Sequence, residues 1–347
     1  MNDADFDVKA LPKAELHLHL EGTLEPETIF QFAERNRIPL PYADVDDLAG
    51  RYRFDDLQSF LDLYYANMAT LRTVEDFADM TEAYLVRASV AGVRHAEVFL
   101  DPQAHTGRGI PLETVLEGVT SALSASERRH GISTGLIVTI LRDLSSESAM
   151  TTLDAVLACG ADVVGIGLDS AEVGHPPSKF VEVFAKARAN GLRAVAHAGE
   201  EGPPSYIWEA LDLLRAERID HGVRCLEDDA LVHRLAAEQI PLTVCPLSNV
   251  RLQVVRDLSQ HPLPAMLSRD LLVTVNSDDP AYFGGYVDDN YAAVRASLSL
   301  SPETLCKLAS NSIRASFLDN TRKSALLTEI ATITASLSTK VEGFRAG

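Results

Sequence analysis

Short apolar, β-branched runs alternate with amphipathic stretches along most of the chain. Eight runs read as strands: residues 14–20, 93–100, 135–141, 163–168, 194–197, 218–221, 241–245 and 271–276. Between them, segments such as 180–190, 207–217 and 229–238 repeat their apolar residues at helical spacing, as in Phe180, Val183, Phe184 and Ala187. Alternating strands and helices imply parallel pairing, and eight repeats suit an α/β fold of the (β/α)8 TIM-barrel type. An open, doubly wound sheet is the structural alternative.

The spacing is uneven. About 70 residues lie between the first and second strands, more than one helix needs. Helical patterns at 26–35, 55–71 and 74–91 fill that insertion. In a barrel it would overhang the mouth, where Phe54, Leu57, Phe60 and Leu61 would form an apolar wall or lid, or else simply helix core. Two further helices are expected after Ser301. No linker or internal repeat divides residues 1–347, so a single domain is expected.

Composition narrows the partners. Hydrophobic residues make up 46% and charged residues 23% of the chain, and the formal net charge is -19. With no basic cluster, nucleic acid is not an expected partner, because phosphate binding needs concentrated Lys and Arg. A neutral small molecule is a more comfortable ligand than a highly charged one. No apolar run reaches about 18 residues, so no membrane partner is expected. Four widely spaced cysteines without a C-x-x-C pair, and an acidic start without a signal-like core, point to the cytoplasm. Homo-oligomer formation stays open.

The chemistry gathers at the strand ends. His17 and His19, two apart, would share one face of the first strand, followed by Glu21-Gly22. Taken alone the pair reads equally as core or as ligands. His197 ends the fifth strand, His221 the sixth, and Asp278 and Asp279 follow the eighth. Barrel active sites are built at that face. Three imidazoles and a carboxylate (His17, His19, His197, Asp278) would make a metal site that activates water. Glu200, three residues past His197, could then shuttle protons, its pKa raised by enclosure. His221 could help deprotonate the water, or serve as a fourth ligand or supporting residue. The other histidines (His95, His105, His130, His175, His233, His261) show no such convergence and read as structural or surface residues.

The string from Pro12 to Gly22, with His197-Ala198-Gly199-Glu200, Asp220-His221-Gly222 and Ser277-Asp278-Asp279-Pro280, resembles the adenosine and AMP deaminase family over about residues 11–318. Segments 54–61, 169–180 and 245–249 are most similar to its bacterial adenine deaminases. The resemblance implies one zinc ion on His17, His19, His197 and Asp278. It implies Glu200 protonating ring nitrogen N1, His221 orienting the attacking water, and Asp279 holding N7 of a purine base. Glu21 and Ser170 stand where adenosine deaminases carry Asp and Gly. The longer Glu21 would reach into ribose space and meet the N9–H of a free base, while Ser170 would add a side chain beside the pyrimidine edge. Deamination of adenine to hypoxanthine is therefore expected, with adenosine or an N6-substituted adenine as alternative substrates. A catalytically inactive metal-binding barrel is the rival of a different class.

Two other readings lose support. The zinc deaminases with an H-x-E and P-C-x-x-C signature are excluded, since no P-C-x-x-C occurs. Two-metal hydrolases bridged by a modified Lys would need a Lys at a strand end, and none is there. Gly165-Ile166-Gly167 reads as packing and not as a dinucleotide loop.

Overall fold

The computed structural model describes residues 6–345, with side chains described as far as Leu337. Eight parallel strands follow in sequence order: β1 (Lys13–Glu15), β2 (Val93–Leu100), β3 (Ser133–Leu141), β4 (Gly165–Asp169), β5 (Arg193–Ala198), β6 (Arg218–His221), β7 (Leu242–Val244) and β8 (Val273–Val275). Each pairs with the next. Past β8 the chain returns to β1: Asp278 N–H donates to His17 O at 3.0 Å, and His19 N–H to Asp278 O at 3.0 Å. That return makes the sheet a nearly closed (β/α)8 barrel and excludes the open doubly wound alternative. Residues such as Leu16, Val98, Ile140, Ile166 and Val244 are fully or nearly fully buried between strands and helices.

β1 is shorter than the apolar run predicts. Its regular pairing stops at Glu15, because side chains take over the ladder. Asn276 Oδ1 accepts from Leu16 N–H at 2.9 Å, and Ser312 Oγ accepts from Ala14 N–H at 2.9 Å. The segment beyond stays extended enough for Leu18 to bridge Asp278 and His19 to bridge Phe99. His17 and His19 therefore hang between β2 and β8 at the mouth.

The long insertion forms helices Pro26–Asn36, Val45–Gly50, Leu57–Asn67 and Val74–Val90. Asp56 and Thr73 cap the last two through reciprocal capping boxes, which fixes where each begins. The expected helix at 207–217 is instead a short helix, Pro204–Glu209, continued by a π turn, Ala210–Leu214. Helices Pro302–Ala315 and Asn320–Arg345 complete the chain. Among the described residues, no helix is long and apolar enough to cross a membrane.

Candidate active site

Three strand ends adopt a backbone that L-residues rarely take. Ser170 after β4, His221 ending β6 and Asp278 after β8 have φ of 71°, 62° and 66°. Such conformations persist only where the surroundings enforce them, and they concentrate at functional sites. Here they turn side chains into the barrel mouth. Gly22 permits the tightest approach, since a Cβ there would come within 2.7 Å of Asp279 Cα.

Four imidazoles and Asp278 converge. His17 Nε2 lies 3.2 Å from Asp278 Oδ1, and His19 Nε2 lies 3.5 Å from the same oxygen and 3.2 Å from His197 Nε2. The ring centroids of His197 and His221 are each 4.5 Å from that of His17. Ligands about 2.1 Å from one tetrahedral ion sit roughly 3.4 Å apart, so this spacing fits a shared ion. His17 Nε2 is buried without any hydrogen-bond partner, as a ligand atom would be. The cluster could hold a metal.

Two groupings compete for the fourth position. His17, His197, His221 and Asp278 bring one donor atom each within 4.8 Å of one another, whereas His19 groups with Asp278 and Asp279. The outer nitrogens separate them. His17 Nδ1 faces Thr243 O at 3.1 Å and Thr243 Oγ1 at 3.0 Å. Thr243 gives its own hydroxyl proton to Asp220 Oδ1 at 2.7 Å, so it accepts from Nδ1–H and leaves Nε2 with a free lone pair. His19 Nδ1 lies 3.6 Å from Asp169 Oδ2, and His197 Nδ1 3.5 Å from Asp220 Oδ2. Neither His197 Nδ1 nor His221 Nδ1 has a hydrogen-bond partner. Metal-bound histidines usually have the outer nitrogen supported by an oxygen, which His17 shows most clearly, while a carboxylate oxygen stands near the outer nitrogens of His19 and His197.

Burial sets the protonation. Desolvation, reinforced by neighbouring imidazoles, pushes the pKa of His197 well down and that of His221 to about 3; desolvation lowers His19 as well. Burial opposes charge on His17 too, but Asp278 outweighs it and raises that pKa. Asp278 is held well below the usual carboxylate range despite burial, through His17. Glu200 and Asp279 go the other way: burial, then the Asp278 charge, raises both well above the ordinary range. His221 Nε2 stands 3.5 Å from Glu200 Oε2 and 3.8 Å from Asp278 Oδ2. Burial thus disfavours charge on both groups that face each other across the site.

The cavity above these groups measures about 30 Å³ and is lined by Asp278, Asp279, Glu200 and Ser170, with Leu57, Phe60 and Leu61 from the insertion. That is room for about one water. Three of the four residues expected as an apolar wall line it, and Phe54 packs behind them, its ring 5.4 Å from that of Phe60. A larger cleft of about 480 Å³ opens at the opposite barrel end, but none of its described lining residues has an unpartnered buried side-chain atom.

Two expectations change. Ser170 does face the cavity, its Oγ accepting from Tyr65 O–H at 2.9 Å. Glu21, in contrast, is not part of the lining: its Oε1 accepts from Asp101 N–H at 3.0 Å and from His105 Nε2 at 2.8 Å. His105 is fully buried and converges on the mouth, because the short helix Pro102–Thr106 folds it against Glu21. Only Glu21 Oε2 stays unpartnered. The sequence reading also passed over Asp101, Asp169, Asp220 and Thr243. The first two sit at strand ends, and the strand-end rule that found His197 would have reached them.

Residues 12–333 match the adenosine deaminase family. The chain is 63% identical over 310 residues, 89% of its length and 91% of the relative's, to an adenine deaminase of Streptomyces coelicolor. It also matches the crystal structure of an adenine deaminase from Arthrobacter aurescens, with TM-score 0.93 and 60% identity, covering 94% of this chain and all of that one. An amidohydrolase of Burkholderia ambifaria crystallised with bound Zn is 29% identical, with TM-score 0.87 over 96% of this chain and 94% of its own.

Proposed function

The chain belongs to the adenosine deaminase family and is a hydrolytic deaminase; from that premise we propose that it converts the free base adenine to hypoxanthine and ammonia, a purine-salvage reaction. The observation that carries the reading is the convergence of His17, His19, His197 and Asp278 beside Glu200, whose pKa burial raises well above the ordinary range. Similarity to proteins named adenine deaminase supports the choice of base. His17, His19, His197 and Asp278 would hold one divalent ion, zinc by analogy with the Zn-bound relative. Such an ion would supply a Lewis acid that lowers the pKa of water at the site.

The remaining roles belong to the chain. Glu200, kept protonated by burial, gives its proton to N1 and so makes C6 electrophilic. His221, kept neutral, orients the attacking water and accepts from it. Asp279, also protonated, donates to N7. Water oxygen bonds to C6, the proton taken by His221 passes to the amino group as the C6–N bond breaks and ammonia leaves, and the C6 hydroxyl proton returns to Glu200 as the 6-oxopurine forms. The closed wall of Leu57, Phe60 and Leu61 excludes bulk water during these transfers. Ser170 lines the pocket beside the base. Glu21 lies behind the lining, where it holds Asp101 N–H and His105.

The test is turnover, followed by ultraviolet absorbance, of adenine, adenosine, AMP and N6-alkyladenines by metal-replete protein. Adenine is expected to exceed adenosine in kcat/KM. Adenosine equal to adenine overturns the free-base reading. An N6-alkyladenine that beats adenine keeps the pocket but changes the substrate.

A further inference from the structure

The loop that carries Glu200 has almost no hydrogen bonding of its own. Four consecutive N–H groups instead point at one carboxylate from a different strand end. Glu172, in the loop after β4, is 1% exposed. Its Oε1 accepts from Gly199 N–H at 2.7 Å, and its Oε2 from Glu200, Glu201 and Gly202 N–H at 3.1, 2.9 and 2.7 Å. Successive N–H groups curved around a point make an anion nest. Here the chain fills the nest itself.

The surroundings hold both halves in place. Arg142 Nη1 donates to His197 O at 2.7 Å and its Nε to His175 O at 2.8 Å, which ties β5 to the segment carrying Glu172. On the far side, Arg224 N–H donates to Gly199 O at 3.0 Å and the Arg224 side chain donates to Glu201 O. The Glu201 carboxylate accepts from Leu57 N–H at 3.2 Å, at the start of the helix that walls the cavity. Gly202 completes the fit, since a Cβ there would lie 2.5 Å from Glu172 Oε1.

We propose that Glu172 is a positioning residue that fixes the Glu200 carboxyl for proton transfer to the substrate, by binding the four N–H groups of residues 199–202. This rests on the reading of Glu200 as the proton donor. Gln at 172 keeps the size but offers one acceptor oxygen, so its NH2 group must face at least one N–H of the nest. The loop then shifts to relieve that clash, and Glu200 shifts with it. The metal-ligand cluster is reached through other contacts and stays intact. Proton transfer suffers most, since a displacement near 1 Å can cost about 100-fold in rate.

The experiment is a double-mutant cycle on the holoenzyme: wild type, E172Q, E200Q and the pair, each assayed for kcat, KM and bound metal. E172Q alone should lose about 100-fold in kcat with KM and metal content little changed. In the E200Q background the same change should cost no more than about 2-fold, because its effect passes through Glu200. An equal loss in both backgrounds, or loss of metal with activity, overturns the inference and makes Glu172 merely structural. Near-wild-type turnover by E200Q alone instead overturns the proton-donor reading. If E172Q does not accumulate folded, G202A decides by the same criteria, because its methyl displaces the Glu172 carboxylate from the nest.

Discussion

Two buried glutamates in this barrel, Glu97 and Glu200, are pushed in opposite directions. Glu97, on β2 toward the end opposite the mouth, is held by Arg218, His95 Nε2 and Phe317 N–H, all donating to its carboxylate. Burial alone would raise its pKa, but Arg218 and His95 outweigh burial and lower it to about 2. Glu200, at the open end, is equally buried, yet the like charges of Asp278 and Glu172 add to the effect of burial and its Oε1 has no partner. Its pKa rises. The opposite end pairs its carboxylate, with only Arg218 Nε left over; the open end leaves His17 Nε2, His197 Nδ1, His221 Nδ1, Asp279 Oδ1 and Glu200 Oε1 unpartnered. An unpaired buried polar group costs stability, so a barrel keeps such groups where a ligand completes them.

If the open end is built for an ion, removing a ligand should affect function far more than fold. His17→Ala and His197→Ala are each expected to lose bound metal and all measurable turnover. Metal analysis of the purified variants, alongside circular dichroism to verify folding, checks this. Full turnover in a rigorously metal-free preparation would contradict the whole contrast between the two ends.

A smaller effect is expected one layer out. Asp220 supports two imidazoles at once, His197 directly at 3.5 Å and His17 through the Thr243 hydroxyl. Asp220→Asn should weaken metal binding by about 10- to 100-fold, the usual cost of losing such a partner. Turnover should recover when metal is added in excess. Chelator competition measures the affinity, and unchanged affinity would mean that Asp220 is only part of the barrel packing.

The fold was legible because hydrophobic period reports burial, and all eight strands fall within or beside their apolar runs. Strand ends were less legible. β1 stops early because Asn276 and Ser312, distant in sequence, replace its ladder partners, and no local pattern encodes that. The histidine cluster was readable because histidine is scarce and its positions fall at the ends of β1, β5 and β6. Asp101, Asp169 and Asp220 were harder to see, since a lone acidic residue beside a turn is ordinary turn chemistry. Glu172 was harder still: its function depends on four backbone N–H groups, which every residue but proline carries. Glu21 was found by comparison with the family, but its partner His105 was dismissed because a helix, not a strand, delivers it.

The smallest effect on turnover, and the sharpest test of the comparison, belongs to Glu97. Glu97 is linked to Asp220 through Arg218, whose Nε lies 3.7 Å from Asp220 Oδ1. Glu97→Gln should therefore change kcat by less than about 3-fold, while destabilising the protein by about 3–5 kcal/mol, the cost of leaving a buried charge without its partner. The pH dependence has a definite sign. A carboxylate whose folded pKa lies near 2, against 4.5 for the unfolded chain, binds protons more weakly when folded. It adds about 3 kcal/mol of stability at neutral pH, all of it present above the unfolded value and lost as pH falls from about 4.5 toward 2. Urea unfolding of wild type and Glu97→Gln at pH 7 and near pH 2.5 reads this directly. The gap between the two proteins should narrow in acid, because wild type then loses what the variant never had. A gap that stays constant would mean that Arg218 and His95 do not hold Glu97 charged, and the two ends of the barrel would no longer differ in kind.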